Sequence, residues 1–184
     1  MKRLTLLAAL TLVLSFPGCG PGLEEEGLPG DEAQWSEVQQ ASSYAGSTSE
    51  EQPPIHCSGT SVAYGLGCGG FNCDNVGLVC NNIPRNSGYA NVTWTQPFSE
   101  ETVNPTLCPS GSWVTGLSCS GGYCDSVSLE CTYITGRTVG DCAWSGWISD
   151  ETSFWWAPEG YFIRGAKCRG WWCDDMSVYY CKML

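Results

Sequence analysis

Two stretches of the chain carry cysteines in one spacing, C-x10-C-x4-C-x6-C: Cys57, Cys68, Cys73, Cys80 and Cys108, Cys119, Cys124, Cys131. Four thiols this close can hold a tetrahedral zinc ion as thiolates, or they can oxidise to two disulfides. Within one set only three pairings exist. If the x4 segment is the tip of a hairpin, the geometry favours Cys68–Cys73 and Cys119–Cys124 across the tip, with Cys57–Cys80 and Cys108–Cys131 clasping the base. A third set departs from the spacing: Ala157 and Tyr180 stand where the first and last cysteines would, and Cys142 and Cys181 appear nearby. The pairs expected there are Cys168–Cys173 and Cys142–Cys181. Exported chains oxidise their cysteines, so disulfides are preferred over zinc once an export signal is found, and neither a metal nor a cofactor is expected.

Other groups with chemical potential are few. A hydrolase built on a nucleophile and an imidazole base needs a histidine beside Ser, Thr or Cys, and the one histidine is His56, read as a surface residue. Each x4 segment is followed by an aspartate, Asp74, Asp125 or Asp174. Such a carboxylate can take a sugar hydroxyl or a calcium ion, but its more common role is to accept bonds from turn amides, and that is the role expected here. Glycoside hydrolysis needs two carboxyls ~5–10 Å apart. Neighbours such as Asp174 and Asp175 point to opposite faces of an extended chain and do not supply them, and Glu50-Glu51, Glu100-Glu101 and Asp150-Glu151 fail likewise unless the repeated units meet at an axis. Six of the nine tryptophans fall at Trp144, Trp147, Trp155, Trp156, Trp171 and Trp172. Two adjacent indoles at a hairpin tip cannot both be buried, so Trp171 and Trp172, with Trp155, Arg169 and Asp174, are the candidate ligand-binding residues. Trp144, Trp147 and Trp156 are expected to fill the junction between sheets.

Those residues must be positioned by a repeated unit. Tyr44, Trp94 and Trp144 stand fifty residues apart, and each is followed five residues later by Ser49-Glu50-Glu51, Ser99-Glu100-Glu101 or Ser149-Asp150-Glu151. The form C-x-G-x-x-C-D recurs at 68–74, 119–125 and 168–174. After each tip the apolar residues alternate (Val76, Leu78, Cys80; Val127, Leu129, Cys131; Met176, Val178, Tyr180), which is the period of a half-buried strand. Before each tip, Gly65, Gly116 or Gly165 interrupts the alternation and predicts a β-bulge. Gly70, Gly121 and Gly170 are available for a positive φ at the tips. The class is all-β: one domain over 44–184, in three units of 44–93, 94–143 and 144–184.

Ahead of this domain, Lys2 and Arg3 precede the apolar stretch Leu4 to Phe16, which has the length of a secretory signal and is too short for a permanent span. Phe16-Pro17-Gly18-Cys19 resembles a bacterial lipoprotein cleavage box, giving a signal at 1–18 and lipidation of Cys19. Removing Cys19 from the thirteen cysteines leaves an even number for pairing. Residues 19–43 are acidic and rich in Gly and Pro, the composition of a disordered tether. With 19 acidic against 8 basic residues and a net charge of −11, the chain has no basic surface for nucleic acid.

The third unit, with Trp144-x2-Trp147, Ala157-Pro158-Glu159-Gly160-Tyr161-Phe162-Ile163-Arg164-Gly165 and Asp174-Asp175-Met176-Ser177-Val178, resembles a repeat of the vitelline membrane outer layer family. The second unit, Cys108-Pro109-Ser110-Gly111-Ser112-Trp113-Val114-Thr115-Gly116, is similar, and the tryptophan and C-P-x-G elements are also dermatopontin-like. That resemblance implies a β-prism, three sheets around a pseudo-threefold axis, in a coat or matrix protein with carbohydrate affinity. The function expected is a non-catalytic glycan-binding or adhesion module, anchored by its lipid to the outer membrane or cell surface, or secreted. A coat protein that binds another surface protein is the alternative, and a glycan-processing enzyme the third. Cys19→Ser is expected to move the protein from the membrane fraction to the soluble fraction on cell fractionation, and retention at the membrane would show that the anchor lies elsewhere.

Overall fold

The computed structural model describes residues 42–83, 87–151 and 154–184. The export signal, Cys19 and the tether up to residue 41 lie outside the described residues. The first part of the domain holds β1 (Ser43–Thr48), β2 (Ile55–His56), β3 (Ser61–Gly69) and β4 (Asn75–Asn82). Next come β5 (Gly88–Trp94), β6 (Thr106–Leu107), β7 (Ser112–Ser120) and β8 (Ser126–Thr135). The last part holds β9 (Val139–Trp144), β10 (Ile148–Ser149), β11 (Phe154–Trp156), β12 (Tyr161–Arg169) and β13 (Asp175–Met183). The fold is all-β.

Three long antiparallel hairpins, β3–β4, β7–β8 and β12–β13, each anchor one sheet. The bulge glycines behave as their interruption of the alternation predicts. Register shifts lie between Ala63 and Gly65, between Val114 and Gly116, and between Ile163 and Gly165, leaving Tyr64, Thr115 and Arg164 as the extra residues. Beyond the hairpin, each second strand pairs with an earlier one: β4 with β1, β8 with β5, and β13 with β9 and β10.

The other edge of each hairpin is closed by a strand from a different part of the chain. β2 pairs with β7, β6 with β12, and β11 with β3. The resulting sheet orders are β1-β4-β3-β11, β2-β7-β8-β5 and β10-β13-β12-β6, with β9 also on β13. The donation runs in a cycle: first part to second, second to third, third to first. Arg164 reinforces one of these junctions. Its guanidinium lies over the buried Trp113 ring, 5.4 Å from the centroid, and donates to Ser112 O at 2.9 Å and Pro109 O at 2.8 Å.

Inward residues of all three hairpins form one buried cluster that includes Leu66, Val76, Leu78, Leu117, Val127, Leu129, Ala166, Met176 and Val178. A second cluster gathers Val62, Ile83, Trp113, Ile134, Phe162, Cys181 and Met183. Among the described residues six disulfides are formed: Cys57–Cys80, Cys68–Cys73, Cys108–Cys131, Cys119–Cys124, Cys142–Cys181 and Cys168–Cys173. Such a set belongs to an oxidising, extracytoplasmic environment. The base bridges tie a donated strand's end to a hairpin, since Cys57 follows β2 directly and Cys80 lies in β4.

Each base bridge spans a sequence separation of 23 and, by the chain-entropy argument, contributes ~3 kcal/mol. Replacing Cys57 and Cys80 together by Ala is therefore expected to lower the unfolding free energy by about 3 kcal/mol. A urea titration checks this, and an unchanged midpoint would mean that the bridge adds nothing to the packing.

Candidate functional site

At the end of each long hairpin the chain makes a tight turn: Phe71–Cys73, Gly122–Cys124 or Trp171–Cys173. Gly70, Gly121 and Gly170 enter the turns at φ 76°, 78° and 82°. The next strain falls on non-glycine residues, a feature no sequence pattern announced. Asn72, Tyr123 and Trp172 sit at φ 56°, 58° and 56°, and the cysteine after each is also left-handed. At Gly170 a side chain is excluded twice over, by its φ and by the Asp174 carboxylate that occupies the position of the missing Cβ.

The three tips touch one another. Cys73 Sγ lies against Asp174 O, and Cys173 Sγ lies 3.3 Å from Asp125 O, so the tip disulfides are packed at the contact between hairpins. This convergence assembles aromatic rings from three separate parts of the chain. Phe71 meets Tyr123 edge-on at 6.2 Å, Tyr123 lies 4.9 Å from Trp172, and Trp172 meets Trp171 at 6.0 Å. Trp171 is 76% exposed and Trp172 37%, which agrees with the expectation that two adjacent indoles at a tip cannot both be buried.

Carboxyl groups hold the backbone of two of these tips. Glu50 Oε1 accepts the Tyr123 amide and Glu100 Oε1 accepts the Trp172 amide, each at 3.3 Å. In both cases the donor is the left-handed residue of the next tip, so the recurring Ser-Glu-Glu segment fastens the turn that presents the aromatic ring. The aspartates were expected to hold turn amides. The carboxyls of Asp74 and Asp125 instead neighbour those of Glu50 and Glu100. Desolvation, followed by the hydrogen bond and charge of the neighbouring glutamate, raises the pKa of both aspartates. Asp174 is raised as well, by desolvation and then by the charge of Asp175. Glu50 is lowered, first by the bond from its own amide.

Carboxyl oxygens of Glu100 and Asp125 also come within 4.8 Å of Cys173 Sγ, but that sulfur is bonded to Cys168 and offers no thiolate to a metal.

The remaining candidates separate from this apex. Trp155 is half-buried, packed on the central cluster and 5.0 Å from the Tyr180 ring. Arg169 bonds Asp175 Oδ2 at 2.9 Å and lies over Trp147, 4.1 Å from its centroid. Trp144 and Trp147 do not fill a sheet junction. They stack on the outer face with Lys167, whose Nζ is 4.4 Å and 5.3 Å from their ring centroids. Trp156 is exposed as well, and the fully buried indole is Trp113. His56 is exposed, as expected, and its Nδ1 pairs with Glu130 Oε2 at 2.9 Å. Phe71 and Tyr123 were missed as apex residues, although their place in the recurring C-x-G-x-x-C-D element marked them as equivalents of Trp171 and Trp172.

Compared with known proteins, the chain matches no family model, no curated protein and no solved structure.

Because the folded pKa of Asp125 lies above its ordinary value, folding favours the protonated acid, and stability falls as pH rises from below 3.8 through the folded value. Asp125→Asn keeps a donor toward Glu100 and removes the penalised charge. Its melting temperature is expected to exceed that of the parent by a few degrees near pH 7 and to converge with it below the ordinary aspartate range. A variant that melts lower than the parent at pH 7 would show that the ionised carboxylate is needed.

Proposed function

We propose that this chain is an exported, lipid-anchored module that binds glycans without catalysing a reaction. In this reading the three sheets are arranged about a pseudo-threefold axis as a β-prism, and the chain is a distant member of the vitelline membrane outer layer type. The cyclic donation of β2, β6 and β11 supports that arrangement, since each sheet then has the same neighbour relation to the next.

The observation that carries the functional reading is the exposed row of rings at the apex, Phe71, Tyr123, Trp172 and Trp171, with carboxyl groups at the backbone of two of the tips. A pyranose has an apolar face that stacks on an aromatic ring and hydroxyls that carboxylates accept, so it matches both parts of this surface. The same exposed rings also favour a second reading, a coat protein that anchors another protein, because contiguous exposed aromatics are common at the centres of protein interfaces. Lipidation at Cys19 would hold the module at the outer membrane or cell surface.

A glycan array probed with the parent and with Trp171→Ala plus Trp172→Ala separates the two. Saturable binding to a defined sugar class, reduced at least about tenfold in the double variant, is the expected result. No binding to any glycan, with capture of a surface protein that the double variant abolishes, would replace the first reading by the second.

A further inference from the structure

Away from the apex, the sheet registers place one transverse row of four residues at the same point on the outer face of every sheet. In the first sheet the row is Trp156, Gly65, Val79 and Tyr44. In the second it is His56, Gly116, Glu130 and Trp94, and in the third Leu107, Gly165, Tyr179 and Trp144. The first member always comes from the donated strand and the second is always the bulge glycine. The fourth is always one of the three aromatic residues spaced fifty apart.

The second row is closed by its own side chains. His56 Nδ1 and Glu130 Oε2 meet at 2.9 Å over Gly116, and Trp94 stands edge-on to the imidazole at 6.0 Å. In the third row the Tyr179 ring lies 5.0 Å from the Trp144 ring, and Leu107 covers Gly165. In the first row the third member is Val79, which has no ring. The space that Tyr179 takes in the third sheet is open here, as a cleft of about 360 Å³ lined by Tyr44, Val79, Phe154 and Trp156. Phe154 extends its wall, stacked on Trp156 at 6.0 Å and edge-on to Tyr44 at 5.7 Å. Tyr44 remains 57% and Trp156 54% exposed.

We infer that this cleft is a second binding site, for an aromatic ring system of one or two rings that packs against Tyr44 beside Trp156 as the tilted Tyr179 ring packs against Trp144. Two observations fix that class. The chain itself fills the corresponding space in the third sheet with a phenol ring, so a planar six-membered ring has the right shape. The lining is almost wholly apolar, so it leaves the hydroxyls of a sugar without partners but accepts an aryl group at no such cost. The site lies outside the apex and does not depend on the glycan reading.

Saturation-transfer NMR on the whole protein tests this, with p-cresol as the one-ring probe, indole as the two-ring probe and methyl α-glucopyranoside as the competitor. Saturable p-cresol binding at about millimolar affinity is expected. Val79→Tyr, which restores the ring found in the third sheet, should weaken it at least about tenfold while the melting temperature is held. If that variant melts early, Trp156→Ala supplies the same reading by removing a wall, and p-cresol affinity should again fall. Trp171→Ala plus Trp172→Ala should leave p-cresol binding unchanged, which keeps this site distinct from the apex. No saturable signal from p-cresol or indole, equal affinity in the closed or wall-less variant, or displacement by the glucoside at comparable concentration would each refute the proposal.

Discussion

Strands of two or three residues do not hold together alone, so β2, β6 and β11 exist because each finds the free edge of a hairpin elsewhere in the chain. The edge is accessible because the hairpin residue opposite is a glycine. A Cβ at Gly65, Gly116 or Gly165 would stand 2.7 Å, 2.8 Å or 2.5 Å from the carbonyl oxygen of Trp155, Ile55 or Thr106 in the incoming strand. Real side chains are not found that close to a carbonyl, so the absence of one methyl-sized group decides whether the sheets can be joined. The shared core, the closed sheet edges and the meeting of the three tips all follow from that approach.

The sulfur bridges act on a different part of the problem. A domain of this size, with cores drawn from three hairpins, orders many residues for a modest apolar interior. The base bridges reduce the freedom of the unfolded chain, whereas the tip bridges hold turns in which two successive non-glycine residues are left-handed. Backbone in that region rarely persists unless its surroundings over-determine it. Here the disulfide, the neighbouring tips and the glutamate carboxylates of the preceding segment combine to do so. The strain turns Tyr123 and Trp172 outward, and the exposed rings are a product of that geometry.

What could be read from the sequence was whatever is local or periodic. The cysteine spacing implied its own pairing, the alternation around Val76, Val127 and Met176 marked the inner faces, and Gly65, Gly116 and Gly165 marked the bulges. The apex was only partly legible, because Trp171 and Trp172 are local to one tip whereas Phe71 and Tyr123 join them through space. The carboxyl neighbours of Asp74 and Asp125 escaped notice for the same reason, since Glu50 and Glu100 precede them by about 25 residues and arrive through the fold. Trp144, Trp147 and Trp156 were placed inside by the general tendency of large rings to be buried. That tendency fails where a cation or another ring covers an outer face: Lys167 and Arg169 stack on Trp144 and Trp147, and Phe154 lies on Trp156.

The cyclic order of strand donation also bears on biosynthesis. The second hairpin receives its outer strand from residues already made, but the first must wait for Phe154–Trp156. Until β11 has emerged, β3 presents an unpaired row of backbone donors and acceptors, the kind of template on which nascent chains aggregate or exchange segments. A polypeptide of this design gains little by folding vectorially from its amino end. It is better suited to a late and concerted joining of the three sheets, once β11 can reach β3.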